Sequence, residues 1–448
     1  MVALSGCATY QAQPIDPSAG AHAFETRSLD SAELQRYVAL HPGRGRNPGG
    51  PVFWDLETLT LAAYYYNPEL DAARARNATS EAVIKTAAQR PNPSLQIPFG
   101  YTTNPKPGES PYLLGLGVDI PIETAGKRGY RIEQARKLSM AARLNIGNVA
   151  WQVRSRLRTQ LLDMYAASHR AEVVAQQVTA QQAVAQMLEK RLSVGAASLP
   201  EVSLARLALE RSRIDLANIE QQFLDAQAGA ATVIGVPLRA LVAADIRLDA
   251  FDFADPELPD TVAREQAILN RSNVRAALAE YEASQAALQL EIANQYPDIH
   301  IGPSYTFDAG VHKFAVSLSG ISLPVFNRNE GPIAEAEGRR AEAAARINAA
   351  QAQAIGDADR AAQNYRSALV RLHLSESLLS TQRRQMAAQQ NAFAVGEADR
   401  LGLMLAEQEL HATELAHQDA LAQVQRGIGQ LEDAMQRPLS AADAAVLE

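Results

Sequence analysis

Pro93-Ser-Leu-Gln-Ile-Pro-Phe-Gly-Tyr-Thr102 and Tyr112-Leu-Leu-Gly-Leu-Gly-Val-Asp-Ile120 decide the reading of this chain. In the first, Leu95, Ile97, Phe99 and Tyr101 alternate with Ser94, Gln96, Pro98, Gly100 and Thr102. In the second, Tyr112, Leu114, Leu116, Val118 and Ile120 alternate with Gly115, Gly117 and Asp119. Successive strand side chains point to opposite faces, so this pattern predicts two strands, each with one apolar face. Asn104-Pro-Lys-Pro-Gly-Glu-Ser-Pro111 between them is a polar loop rich in chain-turning residues. Residues 93–121 therefore read as a β-hairpin set in long helical sequence.

The same unit returns. Pro297-Asp-Ile-His-Ile-Gly-Pro-Ser-Tyr-Thr306 aligns with Pro93–Thr102 at a constant offset. Ile299, Ile301, Tyr305 and Phe307 form its apolar face, with His300, Ser304, Thr306 and Asp308 opposite. Lys313 to Leu323 reads as the return strand, with Phe314, Val316 and Leu318 apolar and a slip in alternation at Gly320 that suggests a bulge. The offset also pairs Leu70 with Val274 and Ala82 with Ala286. The chain reads as two copies of one helix–hairpin–helix unit.

Around the hairpins the composition is that of long helices: Ala, Gln, Glu, Arg and Leu dominate. From Gly126 to about Leu192 there is no proline, and Ala135, Leu138, Ala142, Ile146, Val149, Val153 and Leu157 recur at spacings of three and four. At ~1.5 Å per residue such a helix spans roughly 100 Å, too long for a compact core, and implies a coiled coil or helical barrel. Its opposite face, with Arg131, Arg154, Arg158 and Asp163, reads as solvated. Val194-Gly195 and Val395-Gly396 mark turns at the far ends of two helical hairpins. The predicted organisation is an N-terminal arm over 1–50 with a short helix near Ser31–Leu40, repeat 1 over 51–235, a connector over 236–260, repeat 2 over 261–437 with its hairpin at 297–324, and a tail over 438–448.

The net charge of −8 over 448 residues, with no dense basic stripe, argues against a nucleic-acid partner. No run of roughly 18 apolar residues offers a membrane helix. Barrel strands are shorter and only half apolar, so this leaves a membrane barrel open. The one cysteine, in Leu4-Ser-Gly-Cys7, excludes an intrachain disulfide and matches the lipobox, whose thiol is acylated. Residues 1–6 hold neither the basic region nor the apolar core of a secretory signal.

These features together resemble the TolC-type outer-membrane efflux channel family, from Trp54 to Arg437. The residues that carry the resemblance are Asn67-Pro-Glu-Leu70, the duplicated hairpins, the Arg191-Leu-Ser-Val-Gly195 turn and Leu323-Pro-Val-Phe326, read as ending the fourth strand. Ile122-Glu-Thr-Ala-Gly-Lys-Arg128 resembles the cobalt–zinc–cadmium resistance branch. The resemblance implies a mainly α fold with a membrane β-barrel: a homotrimer in which four strands per chain make a 12-stranded barrel, over a helical barrel crossing the periplasm. It implies passive conduction, heavy-metal cation cargo, a periplasmic adaptor (membrane fusion protein), an inner-membrane RND-type pump, and no cofactor. Gln96, Asp119, His300, Thr306 and Asp308 would face the lumen, and the apolar strand faces the outer-membrane lipid. Arg191, Leu192, Ser193, Val194, Gly195, Val395 and Gly396 would meet the adaptor, and Cys7 would carry the lipid. Some relatives latch the closed end with Tyr, Arg and Asp. The aligned positions here hold Phe393, Ala398, Gly402 and Leu405, so that latch is not implied, and Glu397, Asp399 and Arg400 become the gate candidates.

No catalytic constellation is found. His169, His300, His312, His373, His411 and His417 are scattered, without metal-ligand spacing, and read as solvated helix residues or pore-face residues. The rival readings are a lipid-anchored periplasmic coiled-coil adaptor, an enzyme with a small sheet, and a multidrug channel in place of a metal channel. An adaptor does not need two hairpins with apolar outer faces, and an enzyme needs the missing acid–base or nucleophile cluster.

Overall fold

The computed structural model describes residues 9–41, 53–252, 261–319 and 321–439. In chain order they form α1 (Pro17–Glu25), α2 (Ala32–Leu40), α3 (Leu56–Tyr66), α4 (Pro68–Ala87), β1 (Ser94–Gln96), β2 (Phe99–Tyr101), β3 (Tyr112–Ile122), α5 (Lys127–Ser193) and α6 (Leu199–Ile234). The connector supplies α7 (Leu238–Val242) and a 3-10 turn at Asp249–Phe251. Then follow α8 (Thr261–Asn270), α9 (Ser272–Ala293), β4 (Ile299–Asp308), β5 (Val311–Ser319), α10 (Glu330–Ala394) and α11 (Arg400–Met435). The tail beyond 439, residues 253–260 of the connector, Cys7 and the bulge expected at Gly320 lie outside the described residues.

Two helices, α5 of 67 residues and α10 of 65, run the length of the molecule. A helix that long needs partners along its whole length, and shorter helices supply them in two tiers. Toward the sheet the packing order is α4, α5, α9, α10; away from it the order is α6, α5, α11, α10. The chain therefore needs two end-to-end junctions, α4 on α6 and α9 on α11. At the first, Asn67 caps α4, its Oδ1 accepting from Glu69 N and Leu70 N at 2.9 and 3.3 Å. Its Nδ2 donates to Val233 O at 2.7 Å, covering a carbonyl that α6 leaves open at its end. At the second, Arg271 Nη1 donates to Ala434 O at 2.8 Å, and Ser272 N to Gln436 Oε1 at 2.8 Å. Asn67 and Arg271 solve one problem with different chemistry.

The arm is more ordered than the sequence suggests. Asp16 and Ser31 cap two helices, where one was expected. Leu29, Leu34 and Val38 are buried in a core with Trp54, Leu59 and Leu61, which strap the arm to repeat 1.

Arg154 and Arg158, expected to be solvated, are buried. Arg154 Nη1 lies 2.9 Å and Arg158 Nε 3.5 Å from Glu432 Oε2 on α11, and Glu432 is 2% exposed. Arg158 also donates to Gln425 O and Oε1 at 2.8 and 3.1 Å, and Gln425 Nε2 donates to Phe251 O at 3.0 Å. Beside this network Trp151 Nε1 and Ser155 Oγ donate to Asp433, whose acidity burial weakens by pushing its pKa above the ordinary carboxylate value. Arg131 pairs with Glu123 and Asp163 with Arg426. His411 is likewise buried, not solvated. Glu432→Ala removes the carboxylate that two buried guanidinium groups share, so it should destabilise by about 3–5 kcal/mol. Thermal unfolding of the detergent-purified protein measures this, and Glu432→Gln should cost less because it keeps an acceptor.

Candidate functional site

The strands form one antiparallel sheet in the order β1/β2, β3, β4, β5. β1 and β2 lie in one register on β3: Leu95 opposite Val118, Phe99 opposite Leu114, Tyr101 opposite Tyr112. The single strand expected over 94–102 is interrupted at Ile97–Pro98, because proline brings no N–H to the ladder. Gly115 accommodates the proline: its N donates to Pro98 O at 2.8 Å, and a Cβ there would lie 2.7 Å from Pro98 Cγ. The return strand is Val311–Ser319, shorter than Lys313–Leu323 at its far end, and Leu323–Phe326 follows it in irregular, exposed structure.

Register sorts the side chains into two faces. Leu116, Tyr305 and Phe314 lie directly across one another, as do Ile120, Ile301 and Leu318. This face is exposed: Phe99 is 71% accessible, Phe314 83% and Val316 75%. His312 shares it at the loop end, 2.5 Å from Tyr305 Oη. The other face is polar and more enclosed, with Gly115, Gly117 and Gly302 buried on it. The five residues expected to share a face, Gln96, Asp119, His300, Thr306 and Asp308, all lie there. Two polar contacts form on it: a hydrogen bond between Asp119 Oδ2 and His300 Nδ1 at 2.8 Å, and an ion pair of Asp308 Oδ2 with Lys313 Nζ at 2.8 Å.

Glu123-Thr-Ala-Gly-Lys-Arg128 ties this sheet to the helices, one residue at a time. Thr124 Oγ1 donates to Pro297 O at 2.7 Å and its N to Asp298 Oδ1 at 3.0 Å. Ala125 and Gly126 turn the chain with φ of 51° and 74° into α5. Lys127 Nζ donates to Tyr296 O and Asp298 Oδ1 at 2.7 and 2.8 Å, Arg128 Nε to Ala88 O at 2.7 Å, and Arg131 grips Glu123. Burial alone would raise the Asp298 pKa, but the Lys127 ammonium and the Thr124 N–H hold it below the usual value. The motif was legible in the sequence and this role was not, because Tyr296, Pro297 and Asp298 lie in the other repeat.

At the far end both helical hairpins turn in the same way. Gly195 and Gly396 take φ of 76° and 82°, and Ala196 N and Glu397 N reach back to Arg191 O and Ala392 O at 2.7 and 2.8 Å. Ser198 and Glu201 form a capping box on α6. Asp399 Oδ1 accepts from Gly402 N at 2.8 Å, so its carboxylate serves the cap of α11. Val194 and Val395 are exposed. A groove of about 540 Å³ brings Arg191, Val194 and Arg400 together with Lys190 and Met187 across the two tips. Among the described residues, no group of three or more His, Cys, Asp or Glu is placed to hold a metal ion, and no helix is long and apolar enough to cross a membrane.

A family model described as outer membrane efflux protein matches residues 62–236 and 263–435, one segment for each repeat. The chain belongs to the outer membrane efflux protein family. It is 23% identical over 310 residues to the cobalt-zinc-cadmium resistance protein CzcC of Cupriavidus metallidurans, covering 69% of this chain and 72% of that one. Its fold is similar to that of the outer membrane protein VceC of Vibrio cholerae, with a TM-score of 0.69, 19% identity, and 86% and 97% of the two chains covered. It is similar also to CusC, described in its structural report as forming a transmembrane channel, with a TM-score of 0.70, 18% identity, and 88% and 96% covered. The architecture is thus that of the TolC-type channels, a helical barrel joined to a β-barrel in two repeats.

Lys127→Met removes the cation that sits between Tyr296 O and Asp298, and should cost about 1.5–3 kcal/mol. Asp298→Asn keeps an acceptor for Thr124 N and should cost less. Guanidinium unfolding in detergent, with proteolysis at the sheet–helix junction, measures both.

Proposed function

We propose that this chain is the outer-membrane channel subunit of a tripartite efflux system. Copies close around a common axis, the apolar strand face meets lipid, and the polar face lines water. The observation that carries this reading is a sheet with one exposed apolar face, one enclosed polar face and two unpaired edges, β1/β2 and β5. Unpaired strand edges are not tolerated in hydrocarbon, and four short strands cannot close on themselves. β3, β4 and β5 have 11, 10 and 9 residues, matching the ~9–11 that cross an outer membrane.

The helices support the same closure. The flanks of the helix row carry exposed apolar stripes, Leu204, Leu207 and Ile214 on α6 and Val370, Leu374 and Leu378 on α10. A second copy set edge to edge would cover both. Three copies, as the family resemblance implies, make a 12-stranded barrel and a continuous helical tunnel. Cys7 would anchor the chain to lipid. The tips at Arg191–Gly195 and Val395–Gly396 would receive the periplasmic adaptor, which links the channel to an inner-membrane pump of the RND type. Glu397 and Arg400 flank the tip and are the nearest candidates for a gate. The likeness to a cobalt-zinc-cadmium resistance protein supports heavy-metal cations as cargo, with other small organic substrates the alternative.

The deciding experiment is single-channel recording of the purified protein in a planar bilayer, with its mass measured in the same preparation. Discrete conductance from a trimer is expected, and a water-soluble monomer without conductance would overturn the reading. Leu116→Arg should cost about 2–4 kcal/mol at mid-bilayer and deplete assembled trimer in membranes. Gln96→Arg, on the opposite face, should leave assembly intact. Loss of the chain from its host should raise sensitivity to divalent heavy metals; unchanged metal tolerance with raised drug sensitivity would reassign the cargo.

A further inference from the structure

We propose that the hollow at the α9–α11 junction is a binding site for a small hydroxycarboxylate. One chain forms the whole site, so the binding goes beyond the channel reading; only its placement along a conduit rests on that reading.

The hollow has a volume of about 730 Å³ and lies between α5 and α10, where α9 begins and α11 ends. That is the size of a small-molecule site. Apart from Trp151, Ala361 and Ala434, every side chain on its wall is polar. On the helical wheel of α5, Asn148 and Ser155 stand across from Val153, Leu157 and Leu161, which pack against the arm and the connector. The hollow therefore opens on the face of the helix row that those segments leave bare.

The formal charges on its wall cancel. Arg156 closes on Glu69 through both carboxylate oxygens, at 2.9 and 2.6 Å. Arg271 and Arg360 stand against Asp357 and Asp433, two of each sign. Net charge thus selects nothing, and the balance of donors and acceptors decides. The acceptors are largely spent. Trp151 Nε1 and Ser155 Oγ donate to the two oxygens of Asp433 at 3.0 and 2.6 Å. Gln353 Nε2 donates to Asp357 Oδ1 at 2.8 Å, which leaves Oδ2. Ser272 N can only donate, so it fixes Oε1 of Gln436 toward itself; Gln436 Nε2 then donates to Asn148 Oδ1 at 3.1 Å. Asn273 Oδ1 accepts from Arg271 Nε and Val274 N at 3.2 and 2.9 Å. The donors are left over. Among the described residues no hydrogen bond engages Asn148 Nδ2, Asn273 Nδ2 or Arg271 Nη2. Arg271 is only 8% exposed, yet no carboxylate lies within ion-pair distance of it among the described residues. Arg360 has Asp357 at 4.0 Å, beyond hydrogen-bond length. An excess of free N–H groups takes a ligand rich in acceptor oxygens, and guanidinium groups among them favour a carboxylate. The oxygen left on Asp357 accepts one hydroxyl.

The test is calorimetric titration of the detergent-purified protein with malate, beside glycerol, which carries hydroxyls and no carboxylate. Saturable binding of malate and none of glycerol is expected. Arg360→Gln should weaken malate binding about tenfold. Asn148→Asp keeps an oxygen for Gln436 and exchanges the free amide for a second oxygen, and should weaken it by about the same factor. Absence of saturable malate binding, equal affinity in wild type and Arg360→Gln, or glycerol bound as tightly as malate would overturn the proposal. Should Asn148→Asp fail to fold, Arg360→Gln still decides, because that side chain is 73% exposed and makes no hydrogen bond among the described residues. In planar bilayers malate should lower the single-channel current of the wild type and leave that of Arg360→Gln nearly unchanged. A wild-type current indifferent to malate would overturn the placement along the conduit, with channel and site both standing. Malate binding without discrete conductance would overturn the channel reading alone.

Discussion

Glu432 is the charge on which the two halves of the molecule converge. It places one carboxylate against Arg154 and Arg158, all three withdrawn from water, where α5 of the first repeat crosses α11 of the second. Taking such charges out of water is unfavourable unless geometry and further hydrogen bonds compensate. Here they do: Gln425 accepts from Arg158 and donates to Phe251, and Asp433 accepts from Trp151 and Ser155. The connector between repeats is thereby fixed to the helices that it joins. Ion pairing of this kind fixes orientation more than it adds stability, which suits helices that present similar small apolar surfaces along their whole length.

That register carries through to the ends. With α5 and α10 continuous, the shorter helices must stack end on end, and each junction leaves open amides and carbonyls to be satisfied. Asn67 satisfies both sides of one junction; Arg271 and Gln436 divide the work at the other. Above them the Lys127–Asp298 contact joins the start of α5 to the foot of β4. Below, the matched turns at Gly195 and Gly396 end the two helical hairpins at the same level.

Much of this was legible in the residues. Period-two alternation in 94–102, 112–120 and 299–308 announced the strands and which side chains share a face, because the pleat leaves no freedom in that assignment. The polar-face residues Gln96, Asp119, His300, Thr306 and Asp308 followed directly. Pro98 was visible too, yet its effect depended on a partner: the interruption is tolerated because Gly115 lies opposite. Leu323–Phe326 misled, since its apolar residues extended the strand pattern beyond the last paired residue, Ser319.

The chain by itself determined the repeat, the long helices, the hairpins and their two faces, since each follows from periodicity within one segment. It could not determine the environment of Arg154, Arg158 and His411. A charged residue at a helical position looks solvated until a partner from a distant segment arrives, and Glu432 is such a partner. Only the tertiary structure decided that two guanidinium groups are buried, that Lys127 locks the sheet to α5, and that Asp119 meets His300. Those contacts join residues far apart in the chain, and their energy exists only when the fold has brought both partners together and excluded water from between them.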